Sequence, residues 1–196
     1  MPRTEALLQD RRLYELLGRF DEDLADTARA EGCPCGGRLH RASYPRKPRG
    51  GPDDLGDSYG RRHSFCCAEE GCRRRATPPT VRFLGRKVYL GAVIVLATAM
   101  QHGPTPTRAA RLRELIGASQ RTLRRWCRWW QEVFCATAFW KAARGVFASP
   151  VEEMLLPLSL LEHFRAPGRT WRSVVALALS FLGPLTTTGS LAERGK

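Results

Sequence analysis

The stretch SFCCAEEGCRRR, residues 64–75, places three cysteines within seven residues and ends in three arginines. A second close pair, Cys33 and Cys35, lies upstream in GCPCGGRLH. Two close thiol pairs separated by a loop are typical of a tetrahedral four-cysteine zinc site. The intervening segment is rich in glycine and proline and poor in apolar residues, so it needs such a cross-link to fold. The pattern therefore predicts a small β ribbon organised by Zn²⁺.

The choice of ligands depends on the two adjacent cysteines of the second pair. Neighbouring side chains of an extended strand point to opposite faces, so Cys66 and Cys67 should not both reach one metal ion. Cys67 closes the tighter turn with Cys72, and Cys66 remains its rival for the same position. The predicted zinc ligands are Cys33, Cys35, Cys67 and Cys72.

Two other uses of the thiols, disulfides and redox chemistry, are less well supported by the sequence. The N-terminus is amphipathic and acidic and carries no export signal. The longest apolar run, Val88–Met100, has 13 residues, whereas a membrane crossing needs roughly 20. We therefore expect a cytoplasmic protein without a membrane span, and structural disulfides are rare in the cytosol. A redox site usually has C-x-x-C at the start of a helix, which is absent here.

The positive charge is concentrated in the middle of the chain. Of the net charge of +13, residues 33–87 contribute +8 (13 basic against 5 acidic) and residues 88–145 contribute +7 (9 against 2). Residues 1–32 are net negative, with 5 basic against 8 acidic. A localised basic excess indicates a polyanionic partner. Predicted phosphate contacts are the basic residues that follow the cysteines: Arg73, Arg74, Arg75, Arg82, Arg86 and Lys87.

The chain after residue 87 has the pattern of three successive helices. Val88–Gln101 is predicted as one mainly apolar helix, which ends at HGPTP, where glycine and prolines interrupt it. The next helix contains RAARLRELI and ends at Gly117, and Ser119 then caps a third helix over residues 120–134. Two short helices joined by a glycine turn predict a helix-turn-helix.

The third helix has one apolar and one basic face. At 100° per residue, Leu123, Trp126, Cys127, Trp130 and Phe134 lie on one side. The N-terminal part of the second helix of a helix-turn-helix meets base edges in the major groove, where arginine pairs with guanine and glutamine with adenine. A solvated basic face is the alternative interpretation. The predicted DNA contacts are Gln120, Arg121, Arg124, Arg125 and Arg128.

These patterns predict a mostly α fold with a small β zinc ribbon, divided into four parts. An N-terminal amphipathic helix occupies residues 1–31, the zinc ribbon 32–87 and the helix-turn-helix block 88–145. Short C-terminal helices and a loose tail fill residues 146–196. These helices either pack back on the block or present an apolar face to a partner protein or a second copy.

The order of these elements resembles a known family. The cysteine ribbon runs into RRRATPPTVRFLGRKVYLGAVIVL, residues 73–96, and then into the two-helix motif. In this order it is similar to the N-terminal part of zinc-ribbon insertion-sequence transposases, over roughly residues 30–140. The resemblance implies recognition of duplex DNA at transposon ends.

Catalysis is not expected. Transposases of this kind cut DNA with two aspartates and a glutamate that hold two metal ions. The last aspartate here is Asp57, and only four glutamates follow residue 145, so we predict a DNA-binding protein without a catalytic domain. Two alternatives stay open: a zinc-organised adaptor for protein partners, and an RNA or single-strand binder that stacks bases on tryptophan.

Overall fold

The computed structural model describes residues 3–85, 87–100 and 106–187. The described chain is mostly helical with small antiparallel sheets, which confirms the predicted fold class at this coarse level. Arg86, one of the predicted phosphate contacts, lies outside the described residues. Within the described ranges, no helix is both long and apolar enough to cross a membrane.

The N-terminal segment forms two helices rather than one. Helix α1 spans Arg3–Leu8 and helix α2 spans Arg11–Glu31. Asp10 lies between them and caps α2, because its carboxylate accepts the backbone N–H of Arg12 at 3.1 Å. Apolar periodicity continues across this break, so the sequence pattern alone did not reveal it.

The ribbon consists of short strands around a four-residue helix, α3, which spans Gly56–Tyr59. The three-stranded antiparallel sheet has the order β1-β4-β5, and β2 pairs with β3 in a second, two-stranded sheet. Cys67 on β4 lies opposite Leu39 on β1. The strands are β1 (Leu39–Arg41), β2 (Tyr44–Pro45), β3 (Arg61–Arg62), β4 (Phe65–Cys67) and β5 (Arg75–Ala76).

The helical block is built around one buried helix, α4, which spans Gly91–Ala99 and is buried at every position. It is shorter than predicted, because Phe83 and Leu90 pair through a β-bridge and hold the chain extended up to Leu90. Helix α5 spans Pro106–Ile116 and α6 spans Gln120–Arg128. The chain then continues into a π-helical turn, Trp129–Phe134.

The C-terminal segment packs back on this block. Helix α7 spans Ala138–Ala143, α8 spans Leu158–His163 and α9 spans Trp171–Leu182. Helix α9 contacts both α2 and α4, and its apolar side joins the main core. Short 3-10 turns lie at Arg144–Val146, Glu153–Leu155 and Gly183–Thr186.

Candidate metal centre and basic surface

Four cysteine thiols come together between the ribbon's two turns. The Sγ atoms of Cys33, Cys35, Cys67 and Cys72 all lie within 4.8 Å of one another. Cys33 and Cys72 are 3.7 Å apart and Cys35 and Cys67 are 3.4 Å apart, measured between their Sγ atoms. A tetrahedral ion with metal–sulfur bonds of about 2.3 Å requires sulfur–sulfur distances of about 3.8 Å. The four thiols predicted from the sequence therefore form a group that could hold a metal ion.

The first turn is shaped by backbone hydrogen bonds between Cys33 and Gly37. The N–H of Cys33 donates to the carbonyl of Gly37 at 3.2 Å, and the N–H of Gly36 donates to the carbonyl of Cys33 at 2.8 Å. A Cβ at Gly37 would lie 2.7 Å from the Sγ of Cys67 and 3.3 Å from the Sγ of Cys35. Only glycine lets the backbone approach the sulfur cluster this closely.

The second turn is closed by the carbonyl of Glu69, which accepts the N–H groups of both Cys72 and Arg73 at 3.0 Å. Arg73 has a positive φ of 43°, a left-handed conformation that arginine seldom adopts. The turn brings Cys72 back toward Cys67 at the end of strand β4. Local backbone geometry thus aims both thiols at the first pair.

Cys66 points away from the cluster. Its neighbours on β4, Phe65 and Cys67, are buried, whereas Cys66 is half-buried. Its thiol lies 3.6 Å from the carbonyl of Arg73. The alternation of a strand therefore places Cys67 in the cluster and Cys66 outside it, as predicted.

The thiols of the cluster differ in acidity. Hydrogen bonding from the backbone of Gly37, followed by that from the Cys33 thiol, lowers the pKa of Cys35 to about 7. Burial raises the pKa of Cys67 to about 12. Metal binding requires thiolates, and a site of four thiolates with no carboxylate suits a soft or borderline ion such as Zn²⁺. The donor set therefore fits the predicted zinc.

The arginines after the second turn are exposed. Arg73, Arg74 and Arg75 follow directly after Cys72, and none of the three forms an ion pair with a described residue. Arg75 lies on strand β5 opposite Cys66. Because the three arginines follow Cys72 directly, a metal ion that orders the cysteine cluster would also fix the position of this basic segment.

Arg82 is located in the interior, so the predicted phosphate contact at this residue is wrong. Its side chain is only 4% exposed. Its Nε donates to Asp21 at 2.6 Å, and its other two nitrogens donate to the carbonyls of Tyr59 and Arg61 at 2.8 and 3.0 Å. The sequence pattern failed here because the neutralising carboxylate lies 61 positions away on α2.

The turn between α5 and α6 contains three residues. Gly117 has a positive φ of 65°, Ala118 is buried, and Ser119 caps α6 by accepting the N–H of Thr122 at 3.2 Å. The carbonyl of Gly117 also accepts the hydroxyl of Tyr89 at 3.0 Å. The start of α6 is thereby fixed against the segment that follows the ribbon.

Helix α6 presents its basic side chains to solvent. Leu123 and Trp126 are buried, and Trp130 and Phe134 continue the buried side into the π-helical turn. Arg128 approaches Glu132 at 3.8 Å, but the other predicted contacts form no ion pair with a described residue. The exposed set is Gln120, Arg121, Arg124, Arg125 and Arg128.

Lys87 connects the segment before α4 with the π-helical turn that follows α6. Its Nζ lies 4.5 Å from the ring centroid of Trp129, within cation–π range. Burial, and then the positive charge of Arg125, lower the pKa of Lys87. The periodicity of the helix had suggested only a core or base-stacking role for Trp129, because the approach of Lys87 depends on the tertiary fold.

No family model, curated protein or solved structure matches this chain. The resemblance to insertion-sequence transposases therefore stays a prediction, and function has to be argued from the cysteine cluster and the basic surface.

Proposed function

We propose that this protein binds duplex DNA in a sequence-specific, zinc-dependent manner, without catalysing a reaction, and that it is related to mobile elements. The observation that carries the proposal is the position of Lys87, whose ammonium lies over the ring of Trp129. This contact joins two basic elements that are separate in the sequence. Clustered basic side chains, of which Arg128 alone among the described members approaches a carboxylate, are the electrostatic footprint of a nucleic-acid binder.

Zinc acts structurally in this proposal. The second hydrophobic cluster, which lies under the ribbon, contains few buried side chains: Ala25, Cys33, Leu39, Phe65 and Cys67. So small a core needs additional stabilisation, and a structural zinc ion supplies about 10–16 kcal/mol of apparent binding energy. Four protein ligands complete the tetrahedral coordination and leave no open position for substrate.

Helix α6 is the element that we propose contacts the base edges of the duplex. Its exposed side chains carry the donors that pair with guanine and adenine edges, and Ser119 fixes where the helix begins. The basic segment 73–75 supplies phosphate contacts, which set orientation and affinity but not sequence preference.

Duplex DNA is favoured over single strands because most tryptophans are unavailable for base stacking. Trp126, Trp130 and Trp140 are at most 2% exposed. Trp129 is half-buried, and the ammonium of Lys87 lies over its ring. A single-strand binder would instead present aromatic faces to successive bases.

The test is to sequence the genomic fragments that the zinc-loaded protein retains at physiological salt. Enrichment at inverted repeats that flank mobile elements is expected. A variant with Arg121→Ala and Arg125→Ala should lose this enrichment, whereas Arg29→Ala, on α2, should keep it. Retention of no fragment above input would contradict the proposal.

A second candidate, a protein-interaction adaptor, is favoured by apolar exposure in the C-terminal part. The side chains of Val146 and Met154 are 75% and 68% exposed. A stable complex with a partner protein, combined with no affinity for duplex DNA, would favour the adaptor over the DNA-binding function.

A further inference from the structure

We infer that the loop PRKPR, residues 45–49, forms a second phosphate-contacting element of the DNA surface, beside helix α6. The inference rests on the proposed function and adds Lys47 and Arg49 to the residues that meet the duplex. Sequence spacing did not single them out, because the loop lies in the glycine- and proline-rich part of the ribbon.

The loop is fixed along the segment that leaves the ribbon. The N–H of Arg49 donates to the carbonyl of Val88 at 3.1 Å, and the N–H of Leu90 donates to the carbonyl of Arg49 at 3.2 Å. Arg46 donates from one guanidinium nitrogen to the carbonyls of Gly85 and Lys87 at 3.0 and 3.1 Å. These bonds position the loop parallel to residues 87–90.

The same segment contacts α6 and the turn before it. The ring of Tyr89 packs edge-on against Trp126 with centroids 4.9 Å apart, and Lys87 lies over Trp129. A Cβ at Gly50, which follows the loop, would lie 3.0 Å from the Tyr89 ring and 3.4 Å from the Cβ of Ile116. The loop therefore lies along residues 87–90, and these residues in turn contact α6.

All formally charged side chains in these three segments are positive. Residues 44–52, 73–90 and 117–131 contain no aspartate or glutamate. Lys47 and Arg49 are exposed and form no ion pair with a described residue. Arg46 has a different role, because its guanidinium is held by backbone carbonyls and it acts as a positioning residue.

The loop is suited to phosphates. Its two exposed polar side chains, Lys47 and Arg49, are both cationic, and a lysine ammonium is a point charge that can meet a phosphate without a fixed orientation. Pro45 and Pro48 restrict the backbone, so less conformational entropy is lost when the loop meets the duplex. Contacts of this kind raise affinity for every sequence alike.

The experiment compares full-length, zinc-loaded protein with the double variant Lys47→Gln, Arg49→Gln. Affinity for one fixed mixed-sequence DNA duplex is measured over a range of salt concentrations. Each lost phosphate contact should reduce the slope of log affinity against log salt by about 0.9, so the double variant should lose about 2 from its slope. Sequence preference should not change.

The matched control is Arg29→Gln with Lys141→Gln, which removes the same two residue types from exposed positions on α2 and α7. Its slope should equal that of the unmodified protein. An unchanged slope in the loop variant, or an equal loss in the control, would overturn the inference while leaving the proposed function intact.

Two further outcomes are distinguishable. If the unmodified protein shows no salt-dependent binding to duplex DNA, the proposed function fails and the inference fails with it. If the double variant unfolds at lower temperature, the salt dependence is measured on the single variant Lys47→Gln instead. This change should leave the fold intact, because the Lys47 side chain makes no hydrogen bond to a described residue. A loss of about 1 in its slope supports the inference, and no loss overturns it.

Discussion

The Nε of Arg82 donates to the Oδ2 of Asp21 at 2.6 Å in the interior of the protein. The same carboxylate accepts the N–H of Val81 at 2.6 Å and the hydroxyl of Thr80. This network joins helix α2 to the segment that connects the ribbon with the helical block. It therefore stabilises the relative position of the cysteine cluster and the basic surface.

Removal of either partner should destabilise the fold strongly. Asp21→Ala leaves a buried guanidinium without its neutralising carboxylate, and such changes cost roughly 3–5 kcal/mol. Chemical denaturation measures the loss of unfolding free energy. The pair Arg111–Glu5, whose arginine is exposed, is the control, since Arg111→Ala should cost no more than about 1 kcal/mol. Equal losses for the two variants would show that burial of the Asp21–Arg82 pair is unimportant.

Two adjacent cysteines should behave differently when replaced by serine. Cys67→Ser removes one member of the four-thiol cluster, so zinc content should fall well below one ion per chain and the ribbon should lose order. Cys66→Ser should retain the metal, because the Cys66 thiol lies outside the cluster. Metal analysis of the two purified variants gives the comparison. Equal zinc contents would refute the assigned ligands.

A methyl group at Gly37 should weaken metal binding. The Cβ of Gly37→Ala would lie 2.7 Å from the Sγ of Cys67, so the first turn must move away from the cluster. Competition with a chromogenic chelator should show at least a tenfold loss of zinc affinity, which corresponds to about 1.4 kcal/mol. Gly71→Ala provides the control, because a Cβ there has no neighbour within 4 Å. A smaller loss for Gly37→Ala than for Gly71→Ala would contradict the close approach.

Replacing single arginines of α6 should change sequence preference. Arg121→Ala should cost about 1–3 kcal/mol on the preferred sequence and relax discrimination at one base position. Arg74→Ala, in the segment after the cysteines, should weaken binding to all sequences equally, because a phosphate contact carries no sequence information. Binding measured against a library of duplexes separates the two effects. An unchanged preference profile for Arg121→Ala would refute base reading at this residue.

His63 should make stability depend on pH. Its side chain is 8% exposed, and burial, followed by the charge of Arg82, lowers its pKa below the ordinary value of 6.5. The folded state therefore binds the proton less well than the unfolded state. The contribution of His63 to the free energy of unfolding is fully present above about pH 6.5 and is lost as the pH falls below that value.

The variant His63→Gln keeps a polar side chain but cannot titrate. Its free energy of unfolding should fall less between pH 7.5 and pH 5 than that of the unmodified protein. Protonation of the cysteine cluster affects both proteins alike, so the difference isolates His63. An identical pH dependence would show that the His63 pKa is not lowered by folding.

Several features of the site follow from local patterns. The spacing of the cysteines and the alternation of a strand are enough to choose Cys67 over Cys66. The helical period separates the buried from the exposed side of α6, and Ser119 marks where that helix begins. The break before α2 was missed, because a single capping aspartate inside a continuous apolar pattern carries a weak signal.

The sequence by itself determined which thiols cluster, which residues face solvent on α6, and that the basic excess lies between residues 33 and 145. These properties depend on backbone geometry repeated over a few residues. Only the tertiary structure decided that Arg82 is neutralised by Asp21, that Lys87 meets Trp129, and that the PRKPR loop lies beside residues 87–90. Such contacts join residues 39 or more positions apart, and they follow from how whole elements pack rather than from the pattern within any one of them.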